Sequence, residues 1–332
     1  MMRAQKQSGV ALIIVLWIIT LLTVIAVSFM HTMRTEVNVV ANSLARVKAE
    51  TLAEAGLQRA IYELHKPQNT EGRWNADGST REWQYRDITV NITMHDETAR
   101  IDINRVAAPL LRGLLLSQGV VEEDALKLVD AIADWRDADA QKRPRGAEAA
   151  DYAAAGLNHA PANALFQAVE ELKLVLGMTP ELYARLAPLI TVYSGQQGFN
   201  EQVAERAVLR ALPNVSDEQI DDYLSRRDLA RASRQPVPVF AQNSFRVASN
   251  NLTPTRIRTE AVFADGNTFA REVVVRRFTD PKRPYAFLSW KEGRELAGSQ
   301  NDATGNIPIE GGQSPAITSN TTSKPGSPNT PP

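Results

Sequence analysis

The chain opens with an uninterrupted run of uncharged, mostly apolar residues from Val10 to Met30, preceded by a short leader, Met1 to Gly9, that carries Arg3 and Lys6. At about 1.5 Å per residue, a run of this length spans a ~30 Å hydrocarbon core as one helix. Beyond it, apolar positions recur at mostly three- and four-residue spacings through Val40, Leu44, Val47, Leu52, Leu57, Ala60, Ile61 and Leu64, with no intervening proline. This spacing predicts a single helix over residues 10–64, with residues 10–30 in the membrane and the remainder protruding. The basic leader and the balance of Arg34 by Glu36 put the leader on the cytoplasmic side and the body across the membrane. A cleaved signal peptide is the rival reading, with small residues at Ala26–Ser28 and Ala41–Ser43, but its apolar core is normally only about 7–15 residues long.

Past Pro67 the pattern changes. Asn69–Gly72 and Asn75–Ser79 read as loop and turn. Ile88, Val90, Ile92 and Met94 alternate with Thr89, Asn91 and Thr93, the period of a half-buried strand, and Ala99–Ile103 reads as a strand returning beside it. From Val106 to Arg234 the residues are those of helices. Strands resume at Phe245–Ala248, Arg256–Phe263 and Glu272–Phe278, the last two joined by a turn at Asp265-Gly266-Asn267. The fold class expected is therefore α+β. A small sheet domain, residues 65–105 and 236–298, is interrupted by an inserted helical domain, 106–235, and a Gly/Ser/Thr/Asn/Pro-rich tail, 299–332, is expected to be disordered.

Within the insert, Leu115–Leu126, Val175–Tyr183 and Ala211–Ile220 each pass from an apolar helix end through Gly119, Gly177 or Asn214 into an acidic helix start. Gly and Asn tolerate the left-handed conformation that closes a helix, and Thr179 and Ser216 are suited to N-cap the next one. Such hairpins resemble DNA-binding helix-hairpin-helix units, but Glu122, Glu123, Asp124, Asp217 and Glu218 flank the turns and would repel phosphate. Nucleic acid is not an expected partner, and the net charge of −1 points the same way.

The 332 residues include no cysteine, which excludes disulfides and thiolate chemistry, and the four histidines, His31, His65, His95 and His159, are scattered. No HExxH, P-loop, GxGxxG or Ser-His-Asp order is present, so no enzyme is expected. The densest chemistry is Asp134, Asp137 and Asp139, followed by Glu148 and Asp151. Asp137, Asp139 and Glu148 fall at positions one, three and twelve of an EF-hand loop, yet Lys142 replaces the glycine that loop requires. Two readings remain open on spacing: a solvated loop of Asp–Arg pairs, or an oxygen-rich Ca²⁺ site.

Lys6-Gln7-Ser8-Gly9 before Val10-Ala11-Leu12-Ile13-Ile14 resembles the site at which prepilin peptidases cut after glycine, leaving a hydrophobic, methylated amino terminus in the mature subunit. Pilins usually carry glutamate five residues after the cut, which meets the amino-terminal charge of a neighbouring subunit; here that position is Ile14. Together with Asp134–Asp139, Arg145–Tyr152, Ala160–Asn163 and Val169–Thr179, this leader resembles the minor pseudopilin K family of the type II, or general, secretion pathway.

The resemblance implies a pilin-like helix packed on an antiparallel sheet, and a large helical insert that binds calcium through Asp137, Asp139, Glu148 and Asp151, with Asp134 as a further ligand. In this family the aspartate usually stands one residue earlier than Asp151. It also implies a subunit at the tip of the pseudopilus, assembled in the inner membrane with other minor pseudopilins and reaching the secretin or secreted cargo. Thr20, Ser28 and the alanine-rich faces are suited to close packing of membrane helices. Relatives show an Ile-Asn-x-Asn-Thr-Ala pattern that Arg100–Asn104 resembles better than Gly198–Gln202 does, so different local packing is expected at Gly198–Gln202. A single-pass anchored envelope binding protein and a type IV pilus tip subunit are the alternatives.

Overall fold

The computed structural model describes residues 10–292 except 68, 87, 251 and 264–267. The leader with Gly9, the turn at 265–267 and the tail at 299–332 lie outside the described residues. In chain order the elements are α1 (Val10–His65), β1 (Asp77–Tyr85), β2 (Ile88–Asp96), β3 (Ile101–Asp102), α2 (Ala108–Ser117), α3 (Glu122–Arg136) and α4 (Ala149–Ala154). They continue with α5 (Pro180–Leu186), β4 (Ile190–Thr191), α6 (Arg206–Leu209), α7 (Asp217–Ala232), β5 (Thr255–Val262), β6 (Thr268–Arg277) and β7 (Tyr285–Glu292). Two 3₁₀ turns, Glu97–Ala99 and Val169–Leu174, join them.

Helix α1 is one 56-residue element, roughly 84 Å long at the standard rise. Its apolar stripe divides in two. Leu52, Leu57, Ala60, Ile61 and Leu64 are buried against the sheet, where they meet Val90, Ile92, Met94, Ile257, Val273 and Val275. Gly56 lets the backbone come close to the sheet, since a Cβ there would sit 2.9 Å from Val90 Cγ1. The earlier positions stay open: Met33, Val37, Val40, Leu44 and Val47 are exposed, Val40 by 66%. Arg73 and Arg277 donate to the carbonyl oxygens at the end of α1, where the helix dipole favours cations.

The sheet runs β1-β2-β5-β6-β7, antiparallel throughout. The alternation predicted for Ile88–Met94 is realised as β2, buried on every second residue. Three local expectations are corrected. Asp77–Ser79 opens β1 instead of a turn, because the Asn-Ala-Asp-Gly-Ser composition there serves an irregular strand start, with Gly78 at φ +87° and a register shift before Thr80. Ile101–Asp102 does not return beside β2; it pairs in parallel with β4. Phe245–Ala248 contributes a single bridge, Arg246 with Phe199, in place of a strand.

The insert has its own core, built around Ile101, Leu110, Leu114, Ile132, Trp135, Tyr152, Leu209, Ile220 and Tyr223. It also repeats itself. In the first copy Asp102 Oδ1 accepts from Asn104 N (2.9 Å), Asp102 O accepts from Val106 N, α2 and α3 form a hairpin through Gly119, and Arg136 reaches back to Ile103 O and Val106 O. In the second Asn200 Oδ1 accepts from Gln202 N (3.0 Å), Asn200 O accepts from Ala204 N, α6 and α7 turn through Asn214, and Arg227 reaches Glu201 O and Ala204 O. Ile101 and Phe199 each pair in parallel with a later segment, at Ile190 and Arg246. The turn at Gly198–Gln202 thus keeps the geometry of the first copy despite its altered sequence.

A buried junction fastens insert to sheet. Glu97 is fully buried and receives Arg256 Nε at 2.7 Å and the Thr191 hydroxyl, while Arg256 Nη1 also meets Glu272 at 2.6 Å. Asn200 N donates to Thr98 O, and Arg276 donates to Tyr193 O.

Candidate functional site

The acidic residues singled out by the sequence lie at the carboxyl end of α3 and in the loop that follows. Residues 137–148 join α3 to α4, the length of an EF-hand loop. Below them is an aromatic wall. Trp135 stacks on Phe166 at 5.8 Å between centroids, Tyr152 sits 6.2 Å from Trp135, and the Tyr152 hydroxyl accepts from Leu176 N. This wall fixes the last turn of α3 and the whole of α4, and hence the two ends of the loop.

Asp134 is fully buried; its carboxylate accepts from Arg143 N at 3.2 Å and from Arg143 Nη1 at 2.7 Å. Gly146 packs so closely on Asp134 that a Cβ there would overlap the carboxylate. Asp137 caps α3 and accepts from the same Arg143 guanidinium through Oδ2, while its Oδ1 is buried without a hydrogen-bond partner. Glu148, 9% exposed, also leaves its Oε1 buried and unpartnered. Asp151 accepts from Glu148 N at 2.9 Å and pairs with Lys142 at 2.5 Å. Asp139 is exposed and accepts from Gln141 N.

The electrostatics follow from this crowding. Burial, and then the charges of Asp134, Asp137, Asp139 and Asp151, push the Glu148 carboxyl above its usual range. Hydrogen bonds from Lys142 and the Glu148 amide hold Asp151 below it. Arg143 is held in its charged form by its bonds to Asp137 and Asp134. Glu148 thus feels Asp134, Asp137, Asp139 and Asp151 together, and of these Asp139 is the exposed one. Among the described residues no three carboxylates close on a common point; Arg143 and Lys142 already lie on three of them. Two bare, buried carboxylate oxygens nevertheless fit a hard cation, which would recruit oxygen ligands of this kind. Sequence reading missed Asp130, whose carboxylate accepts from Arg145 N and so anchors the loop from one turn earlier in α3.

The second candidate feature is α1. Its Leu12–Met30 segment has a mean hydropathy of 2.9, is exposed along its length and is long enough to cross a membrane. Ile14 lies in it, exposed, with no acidic residue in the first turn of the helix. A hollow of about 310 Å³ is lined by Asp77, Asp96, Asn200, Glu201, Arg246 and Ser249 together with apolar residues such as Val203 and Val247, and has no histidine or lysine in its lining.

Residues 90–195 match the family described as type II secretion system (T2SS), protein K. A type II secretion system protein K from Klebsiella pneumoniae is 30% identical over 231 residues, covering 62% of this chain and 70% of the relative. The Pseudomonas aeruginosa protein of the same name is 27% identical over 249 residues, covering 67% and 73%. In fold, the chain resembles one in the crystal structure of the GspK–GspI–GspJ complex from the enterotoxigenic Escherichia coli type 2 secretion system. The TM-score is 0.53 at 17% identity, over 79% of this chain and 99% of that one.

Proposed function

This chain belongs to the minor pseudopilin K family of the type II secretion system, and from that premise we propose that it is the subunit capping the tip of the pseudopilus. It initiates assembly in the inner membrane and supports protein export across the outer membrane. The observation that carries this reading is the divided stripe of α1. Its distal half is consumed by the sheet, while Met33, Val37, Val40, Leu44 and Val47 form an open seam, spaced alternately by four and three, in line with the membrane-crossing segment. That spacing is the knobs-into-holes period of paired helices. The partners are other minor pseudopilins, the class with which the Escherichia coli relative was crystallised.

Ile14 in place of the usual glutamate removes the carboxylate that would dock this helix onto a subunit already in place, which suits a first or terminal subunit. The anchor is single-pass, with the body in the periplasm, and the prepilin peptidase cuts between Gly9 and Val10. Asp134, Asp137, Glu148 and Asp151 would hold calcium, which would supply positive charge to carboxylates that Arg143 and Lys142 neutralise only in part; its role is structural. Contact with the secretin or cargo belongs to the insert.

Intact mass of the protein from membranes of cells with and without a prepilin peptidase tests the assignment. Peptidase-dependent loss of residues 1–9 is expected. An unchanged mass, or a cut near Ala26 or Ala41, overturns it in favour of an ordinary anchor or a secreted protein.

A further inference from the structure

Arg143 holds the centre of the acidic loop. Its guanidinium lies on Asp134 Oδ1, at 2.7 Å, and on Asp137 Oδ2, while its own backbone amide is bonded to Asp134. A planar guanidinium donates only within its plane, and Asp137 Oδ1, on the carboxylate it holds, and Glu148 Oε1, within electrostatic reach of Asp134 and Asp137, stay buried and bare. A calcium ion has no such restriction: it gathers six to eight oxygens from all directions. The Arg143 side chain is 39% exposed, against 0% for Asp134, so it is free to swing into water while its backbone stays fixed. We propose that Arg143 is a resident competitor of the metal, a side chain that occupies the Asp134 and Asp137 carboxylates until a divalent cation displaces it, and that it thereby sets the affinity of the loop. This rests on the calcium reading above.

Lys142 plays the same part at the edge, on Asp151. Both cations lie in the loop itself, between the carboxylates they neutralise, so the loop stays closed at low calcium. A cost follows: the ion must expel Arg143 before it binds. The occupant of the site is then decided by calcium concentration, and the insert keeps its shape on either side of the exchange.

Calorimetric titration of CaCl₂ into the detergent-solubilised full chain tests this, with wild type, Arg143→Gln and Arg143→Lys compared at one ionic strength. Arg143→Gln should bind calcium about tenfold more tightly, equivalent to about 1.4 kcal/mol. It should melt at a lower temperature in EDTA and show a larger calcium-induced rise in Tm. Arg143→Lys keeps the charge without the two-armed reach and should fall between the two, and it carries the test if the glutamine variant does not fold in EDTA. Equal or weaker affinity in both variants, with native circular dichroism and wild-type binding intact, overturns the proposal and leaves the calcium site standing. No calcium binding by any of the three overturns the site and the proposal together.

Discussion

Glu97 shows how much a single side chain holds. Burial pushes its carboxyl up, but Arg256 and Arg100, with hydrogen bonds from Arg256 and Thr191, override that and hold it below the usual carboxylate range. A depressed carboxyl stabilises the fold fully above its ordinary value of 4.5 and loses that contribution as pH falls through its folded-state value. His95, lowered chiefly by burial and then by Arg100, starts the loss earlier, below 6.5. Acid melts should therefore fall in two steps. Glu97→Gln should weaken the lower step and cost about 1.5–3 kcal/mol at neutral pH, since Arg256 loses one of its two carboxylate partners and keeps Glu272; a loss under about 1 kcal/mol in denaturant titration would contradict this. None of it was legible in the sequence, where Arg256 lies 159 positions from Glu97. The acidic loop was legible as a cluster, because Asp134, Asp137, Glu148 and Asp151 are close in the chain. Asp–Arg pairing within it was one of the two readings that the spacing left open; that Arg143 is the arginine, with Asp134 and Asp137 as its partners, was not legible, because the pairing depends on loop closure.

At the scale of elements, the readable parts were those with local chemistry. Thr179 and Ser216 cap α5 and α7 through Leu182 N and Gln219 N, and Gly119, Gly177 and Asn214 take the positive φ their positions suggested. Ser216→Ala should cost about 1 kcal/mol in chemical denaturation, with the loss confined to α7. The misreadings at Asp77–Ser79, Ile101 and Phe245–Ala248 have one cause: whether an extended segment becomes a strand depends on which distant edge it meets. The stripe of α1 was visible, but its division was not, because nothing local separates Val47 from Leu52; only the sheet distinguishes them. The open seam makes its own prediction. Val40→Asp together with Leu44→Asp should abolish co-purification with other minor pseudopilins while leaving the Tm of the chain within about 1 °C, as expected of exposed positions. Loss of both binding and Tm would point to a packing role instead.

At the scale of the molecule, the fold class and the interruption of a sheet by a helical insert followed from the change of hydrophobic period along the chain, and the repeat inside the insert was visible in its hairpins through Gly119, Gly177 and Asn214; that the repeat extends to the hydrogen bonds around Asp102 and Asn200 was not. Its two copies share hydrogen bonds more clearly than they share residues. Because the loop and its aromatic wall belong to the core of the insert, and α1 with the sheet forms a separate one, calcium should act on one of them. Adding calcium at a hundredfold excess over its Kd should stabilise the insert by about 2.7 kcal/mol. Fluorescence of Trp135 should report the shift, Asp137→Ala with Glu148→Ala should erase it, and identical melts with and without metal would exclude the site. The strand partners Asp96 and Thr255 stand opposite each other, so the entire insert is the loop of one β-hairpin between β2 and β5. A loop that long makes the pairing of those strands entropically slow if the chain between them is random, and quick once it has condensed and delivered its two ends side by side. The order of folding is thereby written into the topology: the middle of the chain goes first, and the sheet closes over its exits.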